Sequence, residues 1–493
     1  MTFSIDYFAL SPEFVVVGTL LVAFVLDLIL PRPKKYLVAT VAVAGTALAA
    51  VPLVLLAGNG EIRTMFDGSF VVDEFALVLK GLFVVAAYVV FLMSHHYIES
   101  ERYYQGEYYF LLLSSLLGSM VMASARDLII LFIGLELTTG PLFLLAGWRK
   151  GDAKSNEASL KYFILGVLST AILLYGMSLL FGLTGEVGFV EIAAATAGMS
   201  NEPALIMAIL FMMVGFGFKI SAVPFHFWAP DTYEGAPTPI TAYLSVNSKA
   251  AGFVAMLIVM YQALPGASDI WAPVLWLLAA LSMTIGNLSA LRQTNIVRLL
   301  AYSSIAQAGF MLVPFAAAAV AGADLESAFG ATLIYLVIYA IMNLGAFAVV
   351  IAGARKTRSG EISQWAGLAR VDPVLGVLTG VFFFSLAGIP PLAGWFAKFE
   401  MFRSVMIADS ATVALAVIAA VNAVIALYYY ARVIKSVWLD DPVGEFAADA
   451  EAAPAGSLRL ALGIVVVLTL AIGIYPSIAA FVRDAAQVLA TGG

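Results

Sequence analysis

Apolar runs long enough to cross a bilayer follow one another along almost the whole of this 493-residue chain, and they leave little else for it to be. A spanning helix needs about 17–25 predominantly apolar residues. Runs of that kind occupy 12–30, 36–57, 73–93, 107–124, 127–147, 158–183 and 203–224 in the first half. The second half adds 237–262, 272–291, 296–319, 328–352, 373–402, 411–437 and 458–481. Backbone amides in lipid must be satisfied internally, so such runs predict helices. The expectation is an all-α polytopic membrane protein with 14 transmembrane helices, and the short connections leave no room for an extramembrane domain. Composition agrees: 62% of residues are hydrophobic and 12% charged, against about 25% charged in an ordinary globular domain.

Loop charge tests the count independently, because lysine and arginine concentrate on the cytoplasmic side. With the N-terminus outside, the inside loops and their flanks hold Arg32, Lys34, Lys35, Arg102, Arg149, Lys150, Lys154, Arg292, Arg298, Arg355, Lys356, Arg358, Arg370, Arg432, Lys435 and Arg459. The outside loops hold only Arg63, Arg126, Arg403 and Arg483. Losing or adding one span would scramble this bias. The segment 1–13 carries Asp6 and Glu13 with no basic residue, so it reads as the outside flank of a first span and not as a cleavable signal. The expected setting is an inner membrane with both termini on the outer face.

Several functions are excluded. The chain has no cysteine, hence no disulfide, thiolate metal site or cysteine-held iron–sulfur cluster. Three histidines, with His95 and His96 adjacent, argue against a haem or a two-metal centre. No basic run suggests nucleic acid, and the net charge of −7 says little about partners. No cofactor or metal is expected in this chain, so electron transfer coupled to it would run through another subunit.

The informative residues are the five basic ones left inside spans: Lys80, Lys161, Lys219, Lys249 and Lys398. A lysine at the bilayer centre costs roughly 2.5–3.5 kcal/mol, and such groups mark functional sites by default. Glu136, nine residues into the fifth span, and Lys249, twelve into the eighth, lie too deep to reach the surface. Lys161 starts a turn inside the sixth span, where snorkelling to the inside face is the alternative. Lys80 is placed similarly in the third, with Asp73 and Glu74 as partners, and its exchange is expected to matter much less. Asp27 reads as a surface pair beside the basic cluster. A lysine buried in apolar surroundings can release its proton near neutrality, and a nearby carboxylate restores its hold. One acid and several lysines at mid-membrane depth therefore suit proton transfer.

Two spans are interrupted by proline, in residues 217–228 at Pro224 and in residues 382–395 at Pro390 and Pro391. Proline breaks or kinks a helix, and the freed carbonyls survive at depth only where protein or water satisfies them. Lys219 precedes Pro224 by just over a turn, at the negative end of a half-helix. His226, just beyond, could relay a proton between lysines, the alternative being a hydrogen-bonded core histidine. Pro224 and Pro390 are 166 residues apart, and Phe218 falls on Phe384. Asp127 and Glu136 fall near Asn295 and Ser304. The offset is about five spans, an odd number, so the second copy is inverted, and broken helices in inverted repeats point to a transport path near the midplane.

The stretches GLELTTGPLFLLAGW (134–148), KYFILGVLSTAILLYG (161–176), GFKISAVPFHFWAPDTYEGAPTPITAYLS (217–245), LLAYSSIAQAGFML (299–312) and AGIPPLAGWFAKF (387–399) carry a resemblance over nearly the whole chain. The sequence resembles the antiporter-like membrane subunits of respiratory complex I, in particular the branch of bacterial subunit N and mitochondrial subunit 2. The resemblance implies two inverted five-helix repeats with broken helices 7 and 12. Three N-terminal helices would occupy 1–106, the repeats 107–262 and 272–437, and a C-terminal helix 438–493. It implies proton-transfer roles for Glu136, Lys161, Lys219, Lys249 and Lys398, with protons taken up from the inside near Lys219 and Lys249 and released outside near Lys398. It implies that NADH and quinone react in partner subunits holding FMN and iron–sulfur clusters, and that neighbouring antiporter-like and small membrane subunits flank this one. The chain ends soon after the last span, unlike the largest paralogue with its long lateral helix. The readings weighed against it are a subunit of a multisubunit Na+/H+ antiporter, a stand-alone solute transporter and a structural scaffold.

Overall fold

The computed structural model describes residues 5–99, 106–321, 325–406, 410–443, 446, 454–479, 481–483 and 485. Arg102, counted above with the inside loops, and the chain ends at 1–4 and 486–493, assigned to the outer face, lie outside the described residues. Nearly every described element is a helix. Among the described residues eleven helices are long and apolar enough to cross a membrane, and three further apolar helices are shorter: Glu107–Ala123, Pro203–Lys219 and Pro373–Ala387. The latter two fall in the runs that proline interrupts.

The chain opens with α1 (Ser11–Ile29), α2 (Tyr36–Asn59) and α3 (Glu74–Glu99), followed by α4 (Glu107–Ala123), α5 (Leu128–Ala146) and α6 (Ala153–Thr184). A short α7 (Phe189–Ala195) leads to α8 (Pro203–Lys219) and α9 (Trp228–Gly235), the two halves of the first interrupted span. Next come α10 (Thr238–Tyr243), α11 (Lys249–Ile258), α12 (Ser268–Ala290), α13 (Ile296–Ala321) and α14 (Leu325–Thr357). After α15 (Leu368–Val371), the halves of the second interrupted span are α16 (Pro373–Ala387) and α17 (Ala393–Val405). The fold closes with α18 (Ser410–Trp438) and α19 (Gly456–Ile474).

Burial sorts these helices into a centre and a rim. The most apolar windows of Thr238–Ala263, α14 and α13 are 100%, 94% and 83% buried, whereas those of α1, α6 and α18 are only 33% buried. The rim helices keep an exposed apolar stripe, as in Leu160, Phe163, Ile164, Val167 and Leu168 of α6. The centre is where polar side chains can be held away from hydrocarbon.

Local chemistry explains several boundaries. Asp127 caps α5 by accepting from Ile130 N at 2.7 Å, and Asn295 caps α13 by accepting from Val297 N at 2.9 Å. Each capping residue also forms an isolated β-bridge, Asp127 with Gly188 and Asn295 with Glu361. Asp152 caps α6, so that helix starts five residues before the apolar run and places Lys161 two turns inside, deeper than the sequence reading had it. Two stretches of π-helix, Leu244–Ser248 and Val259–Ala263, flank α11.

Sequence reading missed the antiparallel hairpin of β1 (Arg63–Met65) and β2 (Phe70–Val72) between α2 and α3. Its strands are three residues each, too short for an alternating pattern to register. Asp6 pairs with Arg63 at 2.6 Å. The Ala9 amide first, and then Arg63, hold the Asp6 carboxyl below the ordinary aspartate range.

Candidate functional site

The α8 half-helix ends at Lys219. Ser221 follows in the left-handed region at φ 59°, and the Val223–Pro224 bond is cis. A helix end in apolar surroundings leaves carbonyls without partners. Here the Trp228 indole N–H donates to Phe218 O at 3.0 Å, and Ala222 N donates to Gly217 O at 2.8 Å. The break is thus sealed by protein and holds Lys219 almost fully buried.

Lys219 Nζ donates to Glu136 Oε1 at 2.7 Å and to Thr139 Oγ1 at 2.9 Å. Thr170 Oγ1 donates to the same Glu136 oxygen at 2.9 Å. The pair is asymmetric: the Lys219 side chain is 2% exposed and that of Glu136 26%. The carboxylate thus has one open side, while the ammonium is enclosed.

Lys249 opens α11 directly after a π-helical turn, an irregularity common at functional sites. Its Nζ donates to Ser304 O at 2.8 Å and Ser304 Oγ at 2.5 Å on α13. The helix packs close to Lys219 because Gly252, one turn on, has no side chain: a Cβ there would lie 2.9 Å from Lys219 Cβ.

Lys398, on α17, reaches back over the end of the other half-helix. Its Nζ donates to Ala387 O at 2.5 Å and lies 5.3 Å from the Phe310 ring centroid. The last carbonyls of a helix carry its negative partial charge, which suits an ammonium group. Gly388, at φ 89°, makes the passage possible, since a Cβ there would meet Lys398 Cδ at 2.7 Å. Among the described residues neither Lys249 nor Lys398 has a carboxylate within ion-pair distance.

A file of polar groups joins these two lysines, and sequence reading did not assemble it. Ser303, beside Ser304, bonds the Tyr430 hydroxyl at 2.5 Å. One turn on, Gln307 Nε2 donates to Tyr430 OH at 3.3 Å and to Leu386 O at 3.1 Å, while Tyr335 OH donates to Gln307 Oε1 at 2.7 Å. Leu386 immediately precedes Ala387, the carbonyl partner of Lys398. The available signal was the polar cluster Ser303, Ser304 and Gln307 within an otherwise apolar run. Away from the file, among the described residues, the amide oxygen of Asn343 is buried with no hydrogen-bond partner, while its Nδ2 donates to Ser245 Oγ at 2.7 Å. A buried amide oxygen of this kind calls for bridging water.

Three expected residues stand differently. His226 is buried with its ring against Phe227, and among the described residues it has no hydrogen bond to a lysine. Lys161 is neither in the mid-membrane file nor a free snorkelling group. It pairs with Glu157 at 2.6 Å and Asp231 at 2.7 Å. Asp231 in turn pairs with Arg298 at 2.8 Å, and Arg298 with Glu234 at 3.0 Å, which also takes Lys154 at 2.8 Å. This network ties α6, α9 and α13 together at the basic end of the bundle.

Lys80 requires a correction. It does not snorkel, and neither Asp73 nor Glu74 is its partner: it is fully buried and pairs with Glu13 of α1 at 2.7 Å. Asp73 instead pairs with Arg126 at 2.5 Å. The true partner was out of reach of a local reading because it lies 67 residues away. Asp27 does pair with Lys35, at 2.8 Å, but is buried, where it also accepts from Gly106 N.

Comparison with known proteins gives the family. Residues 125–425 match the family model described as NADH:quinone oxidoreductase/Mrp antiporter, TM. The chain is 41% identical to NADH-quinone oxidoreductase subunit N of Moorella thermoacetica over 452 residues, 92% of each chain. A chain of respiratory complex I from Thermus thermophilus superposes with a TM-score of 0.78 at 32% identity, covering 98% of this chain and all of that one. A chain of the Mrp complex from Dietzia has a TM-score of 0.85 at 21% identity, with 98% of each covered, which shows a shared fold. The long helix pair broken at Pro224 and Pro390, the lysines at the breaks and these matches together place the chain in the family of NADH:quinone oxidoreductase and Mrp antiporter transmembrane subunits.

Proposed function

We infer that the chain is the proton-translocating membrane subunit of an NADH:quinone oxidoreductase, of the subunit N type, which couples electron transfer in the complex to proton movement. The observation that carries this reading is the placement of Glu136, Lys219, Lys249 and Lys398 inside the bundle, with Ser303, Ser304, Tyr430 and Gln307 filling the gap between the last two. Buried ammonium groups with hydroxyl and amide groups between them suit stepwise proton transfer. Glu136 acts on Lys219 through distance. At an effective dielectric of about 20, doubling a separation of this size removes roughly 3 kcal/mol of attraction. The partly open carboxylate is the side of the pair that can move.

The finer architecture belongs to the same proposal. Fourteen spans form three N-terminal helices (1–106), two inverted five-helix repeats (107–262 and 272–437) and a C-terminal helix (438–493). The parallel caps of Asp127 and Asn295 and the parallel breaks at Pro224 and Pro390 support the repeat. Protons enter from the inside near Lys219 and Lys249 and leave outside near Lys398, with Lys161 at the inner end and His226 joined only through bridging water. The chain is a multi-pass membrane protein, and the proposed orientation puts both termini outside a bacterial inner membrane. NADH, FMN, iron–sulfur clusters and quinone belong to partner subunits. Glu136 shares one face of α5 with Ile129 and Ile133, both more than half exposed. A carboxylate facing lipid there would be costly, so a neighbouring antiporter-like or small membrane subunit covers this face.

Purification of the complex tests the reading against the Na+/H+ antiporter alternative. An assembly that contains flavin, oxidises NADH with quinone and acidifies vesicles is expected. A redox-free complex exchanging Na+ for protons would replace it.

A further inference from the structure

Between the first and second helical repeats, at the basic end of the bundle, lies a cavity of about 420 Å3 that the proton file does not use. Its volume is within the roughly 300–1,000 Å3 of small-molecule sites. Arg149, Arg355 and Arg358 line it, with Tyr97, Thr238 and Asn295 as further polar groups. The one acid in the lining, Glu234, is occupied, with Lys154 on one oxygen and Arg298 on the other. Arg149 donates to the Tyr97 hydroxyl and its guanidinium lies 5.5 Å from that ring's centroid, which fixes its plane. Among the described residues Arg355 Nη1 is buried with no hydrogen-bond partner. A desolvated guanidinium N–H without an acceptor is costly, and each such group requires an explanation.

An acceptor for Arg355 that suits this cavity is an anion with several oxygens, because two further guanidinium groups line it from near the ends of separate elements: Arg149 after α5 and Arg358 after α14. Phosphate matches this chemistry, accepting charge-assisted and bidentate bonds from arginine. The rest of the lining includes the apolar side chains of Val297, Val350, Ile351 and Ala354. Basic pockets between spanning helices recognise anionic headgroups on this principle. We propose that this cavity binds a phosphate group, carried by an anionic phospholipid headgroup or free in solution, and that the bound anion ties α3, α5, α10 and α14 together where the two repeats meet.

The test uses the intact, delipidated complex in detergent. The probes are phosphatidylglycerol, phosphatidylcholine and inorganic phosphate, and the readouts are thermal stability and phospholipid phosphorus retained per complex. The native complex is expected to be stabilised by phosphatidylglycerol and not by phosphatidylcholine. Arg355→Gln should weaken the apparent affinity about tenfold or more, as expected for losing a hydrogen bond to a charged group, while Arg355→Lys retains part of it. Stabilisation by inorganic phosphate, lost in the same variant, identifies the free anion as the ligand and equally supports the site. Equal response to phosphatidylcholine, or an unchanged response in Arg355→Gln, overturns the proposal. Should Arg355→Gln fail to assemble, Arg358→Gln, at an exposed position on the rim, is read against the same two outcomes. NADH:quinone activity recorded in parallel separates loss of this site from any failure of the proton-transfer reading.

Discussion

Replacing Lys80 by methionine should cost this protein its assembly, although sequence alone ranks it as the least important of the five lysines. Lys80 Nζ lies 2.7 Å from Glu13 Oε1, with side-chain exposures of 0% and 7%. Beyond the Phe70 ring, 5.1 Å from Nζ, the pair has no other polar partner among the described residues. Removing the lysine leaves a carboxylate buried between α1 and α3 with nothing to balance it. Breaking a buried pair from one side costs about 3–5 kcal/mol, whereas replacing both members by groups of similar volume is often neutral or stabilising.

That asymmetry makes the prediction sharp. Native gels and thermal inactivation of the complex should show a large loss for Lys80→Met and an equal one for Glu13→Leu. The double variant Glu13→Leu with Lys80→Met should recover most of the assembly and also the pumping. Recovery of assembly without pumping would mean that the pair carries protons. Normal assembly of the single Lys80→Met variant would refute the burial argument altogether.

The other expectations are briefer. Lys219→Met and Glu136→Gln should each lower proton pumping and coupled quinone reduction by about tenfold or more, in the range of lost acid–base groups, with the complex assembled on native gels. Gln307→Leu removes the amide that bridges Tyr430, Tyr335 and Leu386 O, and should slow proton pumping in vesicles while leaving Lys249 and Lys398 in place; unchanged pumping would show that the path avoids α13. Gly252→Ala inserts a Cβ 2.9 Å from Lys219 Cβ. It should destabilise the complex by about 1–3 kcal/mol, seen as a lower thermal midpoint.

How far the sequence could be read depended on the range of each interaction. The apolar runs, the proline breaks and the depth of Lys219, Lys249 and Lys398 are local properties, so pattern and composition expose them. Pairings that join distant segments are not local: Glu13 with Lys80, Asp231 with Lys161 and Arg298, and Tyr430 with Ser303 are separated by between 67 and 127 residues. The π-helical turn before Lys249 and the start of α6 at Ala153 were hidden for another reason. Both depend on backbone geometry within stretches whose composition is equally compatible with a regular helix or a loop.

Counter-ions now divide the five lysines in a way that depth alone could not. Lys80 is sealed against one carboxylate, Lys161 shares two at a partly exposed end, Lys219 has one that is partly open, and Lys249 and Lys398 are held by neutral oxygens. A group that only holds a network together needs a permanent charge, whereas a group that passes protons must be able to lose one. Arginine separates these roles because its guanidinium stays protonated and binds carboxylates in a bidentate fork. Lys161→Arg should therefore keep the link to Asp231 and Glu157, and with it the ratio of protons pumped to quinone reduced. Lys219→Arg, carrying the same charge beside Glu136, should assemble and yet lose pumping, because it cannot release its proton. If Lys161→Arg instead abolishes pumping in an assembled complex, Lys161 itself gives up a proton during turnover, and the network at the basic end is the first station of the path and not its frame.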